Sequence, residues 1–180
     1  MLLVVDNGSV YTTNLTDFLK EKNILFEKQP TQFLDITSLE KYDSVILSGR
    51  RKNDKKINEI NSKVIVYSIQ NNVKLLGICY GAEILALTLG GTIRKIPILQ
   101  KGNEIIQTVK DNPIASKSLN VFESHRFEIS RLPDILIQIA ESKNCKYEII
   151  QYKKKAIFGT QFHPEMSLDG QNLIEKFCLL

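Results

Sequence analysis

The segment Leu75-Leu76-Gly77-Ile78-Cys79-Tyr80-Gly81-Ala82-Glu83 is apolar up to a thiol and then turns helical. That pattern makes a buried strand deliver a sulfur atom to the mouth of a helix. Unpaired N–H groups and the positive end of the helix dipole favour a thiolate there and lower its pKa below the free value of roughly 8.5. The same N–H groups can hold an oxyanion, the logic of a hydrolase nucleophile elbow carried by sulfur. A free cysteine is also a common small buried hydrophobe, and Gly77-Ile78-Cys79-Tyr80-Gly81 alone does not separate the two readings.

A second segment weighs on the choice. Gly159-Thr160-Gln161-Phe162-His163-Pro164-Glu165 carries one of only two histidines in the chain, at the end of an apolar run and before a proline that stiffens the turn. Glu165 is near enough in sequence to orient the imidazole, the third role in a nucleophile, base and orienter set. Cys145, in the polar run Ser142-Lys143-Asn144-Cys145-Lys146, reads as a turn residue. Cys178 reads as core on the apolar face of a terminal helix. Three cysteines cannot all pair, and their spacing is not that of a metal site.

The elements that must position these groups follow from hydrophobic periodicity. Leu2 to Val5 is an uninterrupted apolar run, as in a strand covered on both faces. The pattern predicts helices over Asn14–Lys22, Ile57–Asn72, Gly81–Leu89 and Leu168–Leu179, with Gly90-Gly91 stopping the third. Val64-Ile65-Val66-Tyr67 has strand propensity. A helix is preferred there because parallel neighbouring strands need a crossover. Short strands are expected at Ile24–Phe26, Asp43–Gly49 and Val73–Ile78. The second half offers Thr92–Ile96, Glu104–Val109, Leu119–Phe122, Ile135–Ala140, Tyr147–Tyr152 and Ala156–Phe162, joined by short polar turns and therefore largely antiparallel. The expected fold class is α/β: a mostly parallel central sheet flanked by helices, with antiparallel strands added in the second half.

The 180 residues fit one domain, 1–180, with 43% hydrophobic and 24% charged residues. A formal net charge of +4, scattered and without a basic–aromatic stripe, gives no expectation of nucleic acid. No apolar stretch approaches a membrane span, so no membrane partner is expected. Met1-Leu2-Leu3-Val4-Val5 lacks a basic start and meets Asp6 too soon for a leader peptide. Reduced thiols and a cytoplasmic location are the matching expectations.

Together, Ile46-Leu47-Ser48-Gly49, Gly77-Ile78-Cys79-Tyr80-Gly81, Ser124-His125 and the run from Gly159 to Glu165 resemble the class I glutamine amidotransferases, over nearly the whole chain and in the family's order. Leu132-Pro133 and the run Ala140 to Cys145 bring the likeness nearest to the glutaminase part of GMP synthases. The resemblance implies a flavodoxin-like amidotransferase fold and a catalytic set of Cys79, His163 and Glu165. It further implies a glutamine pocket drawn from Gly49, Arg50, Tyr80, Gly81, Glu83, His125, Arg126 and Phe127. No metal and no cofactor are implied for the glutaminase step. ATP and Mg belong to a separate synthetase partner of the GMP synthase type.

Three positions depart from the family pattern. Arg50 stands where a second glycine is usual, Glu83 where a glutamine helps bind substrate, and Arg126 where glycine is frequent. A pairing of Glu83 with Arg50 or Arg126 is expected from their charges. The departures leave open an amidotransferase or γ-glutamyl hydrolase of another pathway, or a catalytically impaired regulatory homologue.

Overall fold

In β1 (Leu2–Asp6), Leu2 and Val4 join one hydrophobic cluster and Leu3 and Val5 another, the alternation of a strand buried on both faces. A computed structural model describes residues 1–180. The first cluster receives Leu15, Phe18 and Leu19 of α1 (Thr12–Glu21) and Leu173, Ile174 and Phe177 of α4 (Leu168–Leu179). The second receives Val64 and Ile65 of α2 (Lys55–Asn71) and Ala82, Ile84, Leu85 and Ala86 of α3 (Tyr80–Thr88). Each large apolar side chain so buried stabilises the fold by about 1.5–3 kcal/mol relative to exposure. The result is a three-layer sandwich.

The remaining strands are β2 (Phe26–Pro30), β3 (Ser44–Leu47), β4 (Lys74–Ile78), β5 (Thr92–Thr108), β6 (Ser118–Arg131), β7 (Leu136–Glu141), β8 (Ile149–Tyr152) and β9 (Ile157–Thr160). They form one nine-stranded sheet in the order β2-β1-β3-β4-β9-β8-β7-β5-β6. The pairs from β2 to β9 are parallel and those from β9 to β6 antiparallel. Strand β9 joins the halves, parallel to β4 on one side and antiparallel to β8 on the other. The α/β class with a parallel half and an antiparallel half is therefore as the sequence predicts, and 57–71 is helical. Asp54 caps α2 by accepting from Lys56 N and Ile57 N, and Asn72, at φ 55°, ends it. No helix is long and apolar enough to cross a membrane.

Several expected boundaries are corrected. The strand expected at Ile24–Phe26 begins only at Phe26 and continues through polar residues to Pro30. It is an edge strand, paired on one side alone, so an apolar run is not required of it. The segments expected as two strands, Thr92–Ile96 and Glu104–Val109, are one strand. Pro97 and Gly102 suggest a break, but the chain absorbs Pro97 where the register with β6 slips between Lys95 and Gln100. Strand β6 extends well beyond Leu119–Phe122 to Arg131, at the other edge of the sheet. Two 3-10 turns, Thr31–Phe33 and Ile36–Lys41, have no counterpart in the sequence reading. Cys178 is half-buried at the margin of its cluster rather than in the core.

Candidate active site

The carboxyl ends of β1, β3, β4 and β9 open on one rim of the sheet, where an open α/β sheet collects its chemistry. Cys79 lies between β4 and α3 with φ 51° and ψ −102°. A non-glycine residue held there costs roughly 1–3 kcal/mol and persists only where the surroundings impose it. Here Cys79 N donates to Thr160 O (2.7 Å), while Cys79 O accepts from Ala82 N and Glu83 N (both 3.0 Å). The resemblance places Gly81 in the glutamine pocket. The space its missing side chain leaves is instead taken by β3: a Cβ on Gly81 would lie 2.5 Å from Leu47 O. That glycine lets the elbow sit against the neighbouring strand.

His163 reaches the same rim from the end of β9. Its backbone N donates to Phe122 O (2.9 Å), and Pro164 opens a 3-10 turn that leads into α4. The imidazole Nδ1 lies 2.9 Å from Glu165 Oε1, and His163 and Glu165 are 3% and 2% exposed. A buried carboxylate at that distance fixes the proton on Nδ1 and leaves Nε2 for the thiol. Tyr11 packs edge-on against the ring at 4.6 Å between centroids and donates its hydroxyl to Ser124 Oγ (3.2 Å). Gly49 lies against the ring edge: a Cβ there would come within 2.9 Å of His163 Cε1.

Burial pushes the Cys79 thiol up, and the facing imidazole pulls it back. Burial alone would lower the His163 pKa, but Cys79 and Glu165 outweigh it and hold the imidazole well above its ordinary value. These two tendencies describe one unit: the thiolate is stable only beside an imidazolium, and one proton is shared across the pair.

A cavity of about 260 Å³ opens beside the thiol, with Cys79, Glu83 and His125 buried in its lining and Arg126 and Phe127 exposed. Tyr80 and Arg50 also line it, so the structure brings every sequence-predicted pocket residue except Gly49 and Gly81 onto this cavity. Gly49 instead lies against the His163 ring and Gly81 against Leu47 O. The expected ion pair is corrected. The Arg50 guanidinium stacks on the Tyr80 ring at 4.0 Å and donates to Asn53 Oδ1 (2.6 Å) and Asn58 Oδ1 (2.9 Å). Arg126 points to solvent without an ionic partner. Glu83 meets only Gln161 Nε2, at 3.5 Å, and burial pushes its carboxyl up.

Behind the predicted His125 lie two acids, Glu123 and Glu148, that escape the sequence reading. His125 donates Nδ1–H to Phe127 O (2.9 Å), and burial lowers its pKa, so the ring is neutral. Its Nε2 lies 3.0 Å from Glu123 Oε2 without hydrogen-bond alignment. Glu123 and Glu148, each 1% exposed, have no donor elsewhere in the protein. Burial pushes Glu123 to about 7 and, with Glu123 facing it, Glu148 to about 9. Glu123 adjoins Ser124-His125 in sequence. Glu148 carries no local signal, and only the pairing of β7 with β8 brings it near. Cys145 is buried in its turn, with a thiol pushed up by burial, away from the elbow.

With that geometry in place, likeness to known proteins is informative. The family model described as "Glutamine amidotransferase class-I" matches residues 3–179. The chain belongs to the class I glutamine amidotransferase family. Among curated amidotransferase relatives, a glutamine-hydrolysing GMP synthase subunit from Thermoplasma acidophilum is 31% identical over 182 residues, covering 98% of this chain and 90% of the relative. A GMP synthase from Thermosipho africanus is 31% identical over 184 residues. The match covers 98% of this chain but 35% of that relative, so the chain spans about a third of the longer synthases it matches. The crystal structure of a putative GMP synthase subunit from T. acidophilum superposes with a TM-score of 0.86 at 28% identity, covering 98% of this chain and 91% of the other.

Proposed function

We propose that this chain is the glutaminase subunit of a two-part amidotransferase. It would hydrolyse glutamine through a Cys79 thioester and hand ammonia to a separate ATP-dependent synthetase, in a GMP synthase that aminates XMP. The observation that carries the reading is the strained Cys79 elbow facing an imidazole whose far nitrogen is held by Glu165. Relatives that are single GMP synthase subunits of nearly this chain's length support a synthetase on a second polypeptide.

The Cys79 thiolate attacks the side-chain carboxamide carbon of glutamine, and the backbone N–H groups of Tyr80 and of the Gly49 loop hold the resulting oxyanion. His163, oriented by Glu165, passes the former thiol proton to the departing nitrogen, and ammonia leaves as the thioester forms. His163 then takes a proton from water, hydroxide attacks the thioester, and glutamate and free thiol are restored. The substrate pocket is drawn from Gly49, Arg50, Tyr80, Gly81, Glu83, His125, Arg126 and Phe127. The glutaminase step uses no cofactor; ATP and Mg act on the partner. The setting is the cytoplasm.

A glutamine-like chloroketone should alkylate Cys79, and Cys79→Ala should lose ammonia release by about 10⁴-fold or more while remaining folded. Ammonia release by Cys79→Ala at the parent rate would end this assignment. A second reading, a γ-glutamyl substrate other than glutamine, is favoured by one observation. Glu83 presents a carboxyl with a single long contact where the family has an amide.

A further inference from the structure

On the side away from the thiol, the His163 imidazole is held by one hydrogen bond, between Nδ1 and Glu165 Oε1 (2.9 Å). The torsion between Cβ and the ring is broad in histidine, so one point of attachment leaves the ring free to tilt. Displacing a working atom by about 1 Å can cost about 10²-fold in rate, so the ring plane needs a second constraint. The ring of Tyr11 lies against the imidazole, with 4.6 Å between centroids and the planes at 61°. We propose that Tyr11 is a positioning residue that sets the tilt of the His163 imidazole, and so where its free nitrogen meets the Cys79 thiol, a role that rests on the glutaminase reading.

Tyr11 is suited to this because its own place is fixed. It caps α1 from the loop that follows β1. In that loop Gly8 N and Thr12 Oγ1 donate to Asp6 Oδ1 (2.9 and 3.2 Å), and Tyr11 N donates to Ser9 Oγ (3.1 Å). Tyr11 O accepts from the backbone N of Leu15 (3.3 Å), a core residue. The far end is tied as well. The hydroxyl donates to Ser124 Oγ (3.2 Å), and the ring meets that of Phe122 at 5.8 Å and 77°.

Strand β6 serves both partners. Phe122 O accepts from His163 N (2.9 Å), so the imidazole and the ring beside it are registered against the same segment, 122–124. A tyrosine supplies a flat, rigid wall with only two side-chain torsions to order. Phenylalanine would supply the same wall, and the hydroxyl fixes where it stands. Cys79, Glu165, Glu83 from α3 and Glu123 from β6 are the titratable groups whose charges reach the imidazole. The part of Tyr11 is packing.

Tyr11→Leu removes the ring and the hydroxyl, and Tyr11→Phe the hydroxyl alone. The first readout is alkylation of Cys79 by iodoacetamide against pH, with Cys79→Ala as the blank. It reports the thiolate and needs no glutamine. In Tyr11→Leu the midpoint should move up by about one pH unit, because an imidazole free to tilt stabilises the thiolate less, while Tyr11→Phe should keep the parent midpoint. For ammonia release from glutamine, kcat should fall by about 10²-fold in Tyr11→Leu and return to within about three-fold of the parent in Tyr11→Phe. Both variants lose the contact with Ser124, so KM should change alike in the two. Tyr11→Met, pliable where the ring is rigid, repeats the comparison if Tyr11→Leu does not fold. A folded Tyr11→Leu with the parent alkylation midpoint overturns the proposal, and so does an equal loss of kcat in Tyr11→Leu and Tyr11→Phe. A parent chain that alkylates normally yet releases no ammonia from glutamine overturns the glutaminase reading instead, and the midpoints still test Tyr11.

Discussion

Glu83 shows how a single atom type decides a pocket. Its carboxyl sits in the cavity lining with one 3.5 Å contact to Gln161, and burial favours the neutral acid. A neutral carboxyl has a single O–H to donate, whereas an amide can donate two hydrogen bonds. Glu83→Gln should therefore lower KM for glutamine by about five- to ten-fold, the worth of one hydrogen bond, while kcat stays within about two-fold. Unchanged KM and unchanged preference among γ-glutamyl amides would show that position 83 does not read the substrate. The sequence points to this residue by its departure from the family. It misplaces the partner because charge is only one of the forces at work: Arg50 gains more from the Tyr80 ring face and two asparagine oxygens than from crossing the cavity.

At the level of elements, the reach of α4 toward the site is set by one close approach. Gly170 in its first turn lies against the turn that carries His163 and Glu165, and a Cβ there would be 2.3 Å from Pro164 O and 2.4 Å from Pro164 Cα. Backbone cannot yield as a flexible side chain does. Gly170→Ala should cost about 1–3 kcal/mol of stability and reduce ammonia release as the turn shifts, read by thermal unfolding and steady-state assay together. A stable, fully active variant would show the turn to be held otherwise. Continuous apolar strands, the four helices and the elbow are legible in the sequence because periodicity and glycine spacing are local signals. The edge strands β2 and β6 are not, because one-sided pairing frees them from an apolar pattern. The slipped register that carries Pro97 through β5 is decided by β6 rather than by its own residues. In the site, Cys79, His163 and Glu165 stand out by motif. The Glu123–Glu148 pair does not, because its members meet only after distant segments pack.

Across the whole molecule, the buried acids tie stability to pH. Glu123 and Glu148 keep protons that the unfolded chain, with carboxyl pKa values near 4.3, has already lost. Their contribution is complete below the unfolded value and erodes as pH rises through about 7 and then about 9. His163, raised in the fold, loses its contribution in the same direction. His125, held neutral, opposes only as pH falls through its unfolded value near 6.5. Tm should thus drop by about 5 °C or more between about pH 7 and about pH 9, and Glu148→Gln should flatten the slope. A pH-independent Tm in the parent would show the acids to be solvated. The seam between the halves of the sheet has a further consequence. Residues 75–78 pair with 157–160, so the strand that brings the imidazole is laid beside the thiol last. A ribosome emits the intervening stretch over roughly ten seconds, during which the nascent polypeptide bears a sulfur with no proton acceptor. On the glutaminase reading, a nascent chain therefore releases no ammonia until the strand that carries the imidazole has been made.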